Sequence, residues 1–331
     1  MEARRQPWSV KNEPLIGGLA IAAIMVAIFS ATGWWLAGAE ERTETARQET
    51  GRRIVRPARA QMVALRSAFG AGPAAAVGAI QEDPDEPAAA AILPLDALSS
   101  EAADYAAGLP CCVSIAVVVP EEGLAYEFEG DVTSPLLSVA KVPIMTMVLG
   151  QAIEDGRELT ATESELLSLM IQSSDNEAAY SLWYAMGGAE AMVALFESAG
   201  LGSIATYADS WGSTLASPLQ MASLLAMIVQ GDVLDEAARM TAMDVLSAVD
   251  PSLAWGALSG TEGLVTETGV KNGWYPEPSG WSLNSLAYVA PDDGAAYTMA
   301  IFTQGSAIMS DGIATIEEIA RAINEQMLLR F

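Results

Sequence analysis

The chain has 331 residues, 51% of them apolar, and a formal net charge of −26 from 16 basic and 42 acidic side chains. It is long enough to bury a full core, and a balance this acidic excludes nucleic acid as a partner, because phosphates require a basic face. There is no histidine, which excludes Ser-His-Asp and Cys-His mechanisms and imidazole metal sites. The two cysteines, Cys111 and Cys112, are adjacent, so they build neither a four-thiolate zinc site nor a disulfide framework. They are expected to pack as small apolar residues at a strand start. Neither metal nor cofactor is expected, and acid–base chemistry falls to lysine, tyrosine or carboxylates with shifted pKa values.

From Pro14 to Ala39 no residue is charged, and Trp8, Trp34 and Trp35 flank the run. This is long enough to span a bilayer as a helix, with interfacial aromatics at both ends. The reading is a cytoplasmic N-terminus over 1–14, a transmembrane anchor over 15–38, a stalk and linker over 39–92 and a folded domain over 93–331; the alternative is a cleavable signal peptide, with Ala37-Gly38-Ala39 as a small-residue cleavage site. Arginines are denser after the span than before it, which taken alone favours the opposite topology. The domain is nevertheless expected outside, where the chemistry below makes sense. Within the linker, Gly70-Ala71-Gly72-Pro73 and Asp83-Pro84-Asp85-Glu86-Pro87 have a spacer composition.

The folded domain opens with Val113 to Pro120, a β-branched apolar run that predicts a buried strand. A turn at Glu121-Glu122-Gly123 leads to a hairpin partner in which Tyr126 and Phe128 alternate with acids. Helices dominate the middle. Thr162 to Glu165 has the spacing of a capping box, Ser217-Pro218 opens a helix to about Gln230, and Gly156, Gly187 and Gly200 mark helix ends. Near the C-terminus, 265–274, 281–290 and 296–303 predict strands, and a last helix starts near Asp311 with isoleucines on one face. Strands at both ends with helices between them predict an α+β domain, in which one antiparallel sheet holds an inserted helical subdomain and the cleft between them is the natural site.

The domain from residue 93 onward holds only two lysines, Lys141 and Lys271. Ser138-Val139-Ala140-Lys141 is a Ser-x-x-Lys motif, and on a helix positions i and i+3 share a face. A neutral lysine, its pKa lowered by burial or by a second cation, can take the proton that activates the serine hydroxyl. Ser174-Asp175-Asn176 follows 36 residues after Ser138, and Lys271-Asn272-Gly273 another 95 residues after Asn176. In order and in secondary-structure context, the triplet resembles the penicillin-recognising serine enzymes, the class A β-lactamases and penicillin-binding proteins.

That resemblance implies roles by position. Ser138 would be the acylated nucleophile and Lys141 its base, or part of a proton relay. Ser174 would pass the proton to the leaving nitrogen, with Lys271 adding positive charge and binding the substrate carboxylate. Asn176 would hold the substrate amide. The backbone N–H groups of Ser138 and Trp274, beside Gly273, would form the oxyanion hole. Asp175 is expected to cap or brace its turn. Two departures stand out. Lys-Asn-Gly replaces the usual Lys-Thr-Gly or Lys-Ser-Gly, leaving Asn272 as the substitute donor. The segment expected to carry a deacylating glutamate is short and has none, so Asp209 is its only carboxylate. The resemblance implies a membrane-anchored, extracytoplasmic hydrolase acting on a β-lactam or a peptidoglycan stem peptide ending in D-alanyl-D-alanine, slow to deacylate. The alternative is a catalytically degenerate domain that binds cell-wall peptide or a protein partner.

Overall fold

The computed structural model describes residues 90–329, so the expected N-terminal anchor and stalk, and all but the last residues of the linker, lie outside the described residues. Nine strands are described: β1 (Ala91–Pro94), β2 (Cys112–Val119), β3 (Leu124–Phe128), β4 (Ser134–Pro135), β5 (Ala205–Tyr207), β6 (Ser210–Ala216), β7 (Val265–Glu277), β8 (Gly280–Pro291) and β9 (Tyr297–Ser306). The α-helices are α1 (Ser100–Ala107), α2 (Lys141–Glu154), α3 (Ala161–Gln172), α4 (Asn176–Ala185), α5 (Gly188–Ser198), α6 (Pro218–Gln230), α7 (Glu236–Ser247) and α8 (Met309–Leu329).

Both ends of the domain do meet in one six-stranded sheet, ordered β1-β3-β2-β9-β8-β7. It is mixed rather than wholly antiparallel, because β1 adds to β3 in parallel. All residues of β2 after Cys112 are buried, as is most of β8. Near-continuous apolar strands need cover on both faces, and adjacent residues of β9 show that they have it. Tyr297 donates from its hydroxyl to Asn324 Oδ1 on α8, while Thr298 donates to the carbonyl of Ala222 on α6. Successive strand residues point to opposite faces, so α8 and α6 lie on opposite sides of the sheet.

The helical subdomain is organised around α2, which packs against α3, α4, α5, α6 and α7. A helix surrounded on every side is apolar all round. This explains why 137–154 is long and apolar enough to cross a membrane although 67% of it is buried in the domain.

Local signals fix the helix ends. Ser217 caps α6 through a reciprocal box with Gln220, with Pro218 in the first turn. The box that opens α3 is Thr160 with Glu163, two residues earlier than the predicted Thr162 with Glu165. Both pairs have the spacing, but only Glu163 is also gripped by Arg157, at 2.8 and 3.0 Å, which holds its carboxyl down near a pKa of about 2. Cys111 packs half-buried against the core, whereas Cys112 is exposed and both are free thiols, so only the first behaves as an apolar filler.

The stretch between α5 and α6 forms a hairpin, β5–β6, that pairs with β4 in a separate three-stranded sheet. Sequence gave no strand there. Its short, mixed composition carries no clear alternation, and the pairing with Ser134–Pro135 is non-local.

Candidate active site

Strand β4 leads through Leu136 into a tight 3-10 turn, Leu137–Ala140, that runs directly into α2. Ser138 lies in this turn and Lys141 is the first residue of the helix, so the motif spans the junction instead of one helix face. The turn is held at both sides. Leu136 donates its N–H to the carbonyl of Thr214 on β6 (2.8 Å), and Asn284 on β8 donates from Nδ2 to the carbonyls of Pro135 (2.8 Å) and Leu136 (3.1 Å). Leu137 has φ +53° and Ser174 φ +54°, left-handed conformations that non-glycine residues adopt only where the surroundings impose them, commonly at functional sites.

Three elements converge under the turn. Lys141, fully buried, donates from Nζ to the carbonyl oxygen of Ser174 (2.5 Å), to Ser174 Oγ (3.1 Å) and to Asn176 Oδ1 (2.9 Å). Lys271, also buried, reaches the same hydroxyl from the opposite side at 3.0 Å and donates to the carbonyl of Asn272 at 2.8 Å. Neither lysine forms a salt bridge within the described residues. Loss of water pushes Lys141 down to a pKa of about 8, against a smaller opposing pull from Asp175. Burial, followed by repulsion from Lys141, pushes Lys271 well below its ordinary value. The N-terminal position of Lys141 on α2 acts in the same direction, since the positive end of the helix dipole repels an ammonium. Trp211 lies against Lys141, with Nζ 4.9 Å from the ring centroid, and supplies some of the compensation that water would otherwise give.

The pleat of β7 sorts the remaining predicted residues. Lys271 faces the Ser138 turn. Gly273, two residues on, meets it so closely that an added Cβ would lie 2.6 Å from Ser138 N and 2.9 Å from Leu137 Cβ. Only glycine permits that approach. Asn272 points the other way. It is buried and donates from Nδ2 to the carbonyls of Leu253 (2.8 Å) and Trp255 (2.6 Å), so the predicted substrate donor is instead a clamp on the loop behind the sheet. The ring of Trp274 leans toward that same loop, 6.1 Å from Trp255, although the residue still borders the cleft.

Above the turn is a cleft of about 370 Å³ lined by residues that include Ser138, Asn176, Tyr180, Trp211, Trp274 and Glu277. Lys141, Ser174 and Lys271 form its substructure. Asp175 caps α4, accepting from Ala178 N at 2.7 Å, as expected. Asp209 sits as a solvated loop acid. It occupies the exposed turn at the tip of the β5–β6 hairpin and is not part of the cleft lining, where its neighbours Ser210, Trp211, Gly212 and Ser213 are. Sequence reasoning missed Asn284 and Glu277 as site components. For Asn284 a signal existed, an amide inside an otherwise buried strand, since buried polar groups need partners.

The architecture is that of the β-lactamase/transpeptidase scaffold. The chain belongs to the β-lactamase enzyme family, whose model matches residues 151–327 and so includes Ser174, Asn176 and Lys271. LppW of Mycobacterium tuberculosis, a protein that bears a lipoprotein name, is 26% identical over 239 residues, covering 67% of this chain and 73% of that protein. Among solved structures, a class A β-lactamase from Bacteroides cellulosilyticus aligns with a TM-score of 0.61 at 16% identity, covering 72% of this chain and 99% of its own. A variant of the class A β-lactamase of the last common ancestor of Gram-negative bacteria aligns with a TM-score of 0.59 at 23% identity, covering 71% and 100%.

Proposed function

We propose that the protein is a serine acyl-hydrolase that becomes acylated on Ser138 by a β-lactam or by a D-alanyl-D-alanine stem peptide and releases the acyl group slowly. The observation that carries this reading is the meeting of two buried lysines, neither in a salt bridge among the described residues, on one hydroxyl, Ser174 Oγ, beside Asn176, which lines the same cleft as Ser138. Two ammonium groups so placed disfavour each other, so one is readily neutral near physiological pH. Lys141 has no hydrogen bond to Ser138 in the resting arrangement; in this reading it releases one of its present acceptors and takes the Ser138 proton. The Ser138 Oγ–carbonyl bond forms and the substrate C–N bond breaks. The proton passes through Ser174 Oγ to the leaving nitrogen. Ser138 N–H, in the first turn where no helical carbonyl can pair with it, and Trp274 N–H hold the developing oxyanion. Lys271 attracts the substrate carboxylate and Asn176 its amide.

Slow release follows from the wall of the cleft. In class A enzymes a loop glutamate directs the deacylating water; here a hairpin occupies that wall and brings no carboxylate to Ser138. A second reading, a degenerate domain that binds cell-wall peptide without turnover, draws on the same absence and on Asn272 facing away. Incubating the full-length chain with a fluorescent penicillin and measuring intact mass separates the two. One added penicillin per chain, lost in Ser138→Ala, supports acyl-serine chemistry, and no mass gain refutes it.

We place the domain on the extracytoplasmic side, held at the membrane. The lipoprotein name of LppW supports this location, while a lipid anchor and a spanning helix over 15–38 are different attachments. Protease added to intact cells, with sequencing of the mature N-terminus, tells them apart.

A further inference from the structure

We infer that the cleft selects acyl donors carrying an ammonium group at the end of an extended side chain, and that Glu277, with Tyr275, is the specificity-determining pair. The inference rests on the acyl-serine reading above and adds the substrate class.

Strand β7 is an edge of the main sheet, and it runs from Gly273, which touches the Ser138 turn, through Trp274 and Tyr275 to Glu277, all of which border the cleft. An extended ligand acylated at Ser138 would therefore lie along this free edge, where backbone groups are available for strand addition. Along a strand the alternate residues share a face, so Lys271, Gly273, Tyr275 and Glu277 all project to the cleft side. Glu277 lies about 13 Å along the strand from Gly273. The Glu277 side chain leans back toward Tyr275, whose cross-strand partner Ser282 it meets, and the gap left to Gly273 is roughly the length of a six-atom acyl chain.

The chemistry of that end of the cleft is specific. Glu277 Oε1 accepts a hydrogen bond from Ser282 Oγ at 2.8 Å, and Ser282 is itself 2% exposed, so the carboxyl group is anchored from the strand behind it. No cation among the described residues forms a salt bridge with Glu277. Tyr275, one pleat nearer Ser138, is 58% exposed. An anchored carboxyl group without a cationic partner beside an exposed aromatic face is a recognition pair for a primary ammonium, by charge and by cation–π attraction. The two lysines of the domain, Lys141 and Lys271, are buried beside Ser174 and Asn176, away from Glu277. A fitting substrate thus has a carboxylate near the reacting carbonyl and a positive charge at the far end, the pattern of a peptide containing a diamino acid. The strongly acidic domain surface adds a long-range field of the same sign preference.

Three penicillins test this, made by acylating 6-aminopenicillanic acid with 6-aminohexanoic, heptanoic or heptanedioic acid. Their side chains have equal length and end in ammonium, methyl or carboxylate. Acylation rates of the full-length chain, read by intact mass, should favour ammonium over methyl by about tenfold, with carboxylate slowest. Glu277→Gln should bring the ammonium-to-methyl ratio near one. Glu277→Lys should make the carboxylate compound fastest. Each ratio is taken within one variant, so loss of folded protein cancels. Labelling by all three at equal rates in the wild type, or a ratio unmoved by Glu277→Gln, overturns the inference and leaves the acyl-serine reading standing. No labelling by any of the three overturns both.

Discussion

The floor and the wall of the cleft differ in what they were built from. The floor is assembled from three distant segments: the 3-10 turn before α2, the Ser174 turn and strand β7. Lys141 and Lys271 both donate to Ser174 Oγ, and Lys141 also holds the Ser174 carbonyl and Asn176 Oδ1. The wall is one local hairpin, β5–β6, contributing Trp211 and small hydroxyls, with its only acid at the exposed tip. The contrast separates two chemical tasks. In the proposed reaction, forming an acyl-enzyme draws on the floor, whereas releasing it would need a base on the wall, and the hairpin brings none to the cleft lining.

The sharpest test of the floor is removal of its proposed nucleophile and base. Ser138→Ala should abolish covalent labelling, and Lys141→Ala should slow it by about 10²–10⁴-fold, the scale of a lost general base; single-turnover labelling measures both. An unchanged rate in Lys141→Ala would remove that lysine from the mechanism. Next comes the wall. The acyl-enzyme should persist for minutes or longer, and multiple-turnover hydrolysis of a chromogenic cephalosporin should fall well short of the enzyme median of about 10 s⁻¹. Asp209→Asn should leave any residual hydrolysis as it is, and a loss of turnover in that variant would mean the hairpin closes over the substrate.

Smaller effects probe how the floor is held. Gly273→Ala places a methyl group 2.6 Å from Ser138 N, and over-packing of this kind costs about 1–3 kcal/mol. It should lower the denaturation midpoint and slow acylation together. A variant with wild-type acylation would show that β7 can retreat from the nucleophile without consequence.

The pH dependence sharpens the role of Lys141. Its folded pKa, about 8, lies below the ordinary lysine value of 10.5, so acylation should rise with pH up to about 8 and then level off. Stability should respond to the same shift. Because burial disfavours the charged form, its penalty is complete below the folded pKa and is relieved as pH rises from about 8 toward 10.5. Wild-type stability relative to Lys141→Met should therefore increase over that window, and a difference flat with pH would argue against a lowered pKa. Smallest is the helix cap, where Thr160→Ala should cost about 1 kcal/mol, measured by denaturant unfolding, and leave labelling untouched.

Much of the floor was legible in the sequence because its residues are chemically conspicuous. Two lysines in a lysine-poor domain, each within a short polar motif in an apolar setting, announce themselves. The strand runs and the Ser217-Pro218 helix start were equally plain, since local spacing encodes them. What stayed hidden depends on non-local pairing. The parallel addition of β1 to β3 and the β4–β6 contact leave no periodic trace. The outward face of Asn272 follows from the phase of the pleat of β7, which is fixed only once Gly273 is known to touch Ser138. Glu277 lies beyond the expected end of its strand, at Trp274, so its place in the cleft could not be read until β7 was seen to continue.

The sheet that unites the two ends of the domain also sets the order in which the molecule can form. Strand β2, whose Val113 to Val118 pair with Thr303 to Thr298 of β9, is synthesised long before its partner. Until β9 has emerged, one edge of an almost wholly apolar strand stays open, and such edges template pairing with other chains. Closing it requires contacts of high sequence separation, which slow folding. The helical middle, held by nearer contacts around α2, is free to form first. The active-site floor must then be completed late, when β7 arrives to lay Gly273 against the turn that carries Ser138.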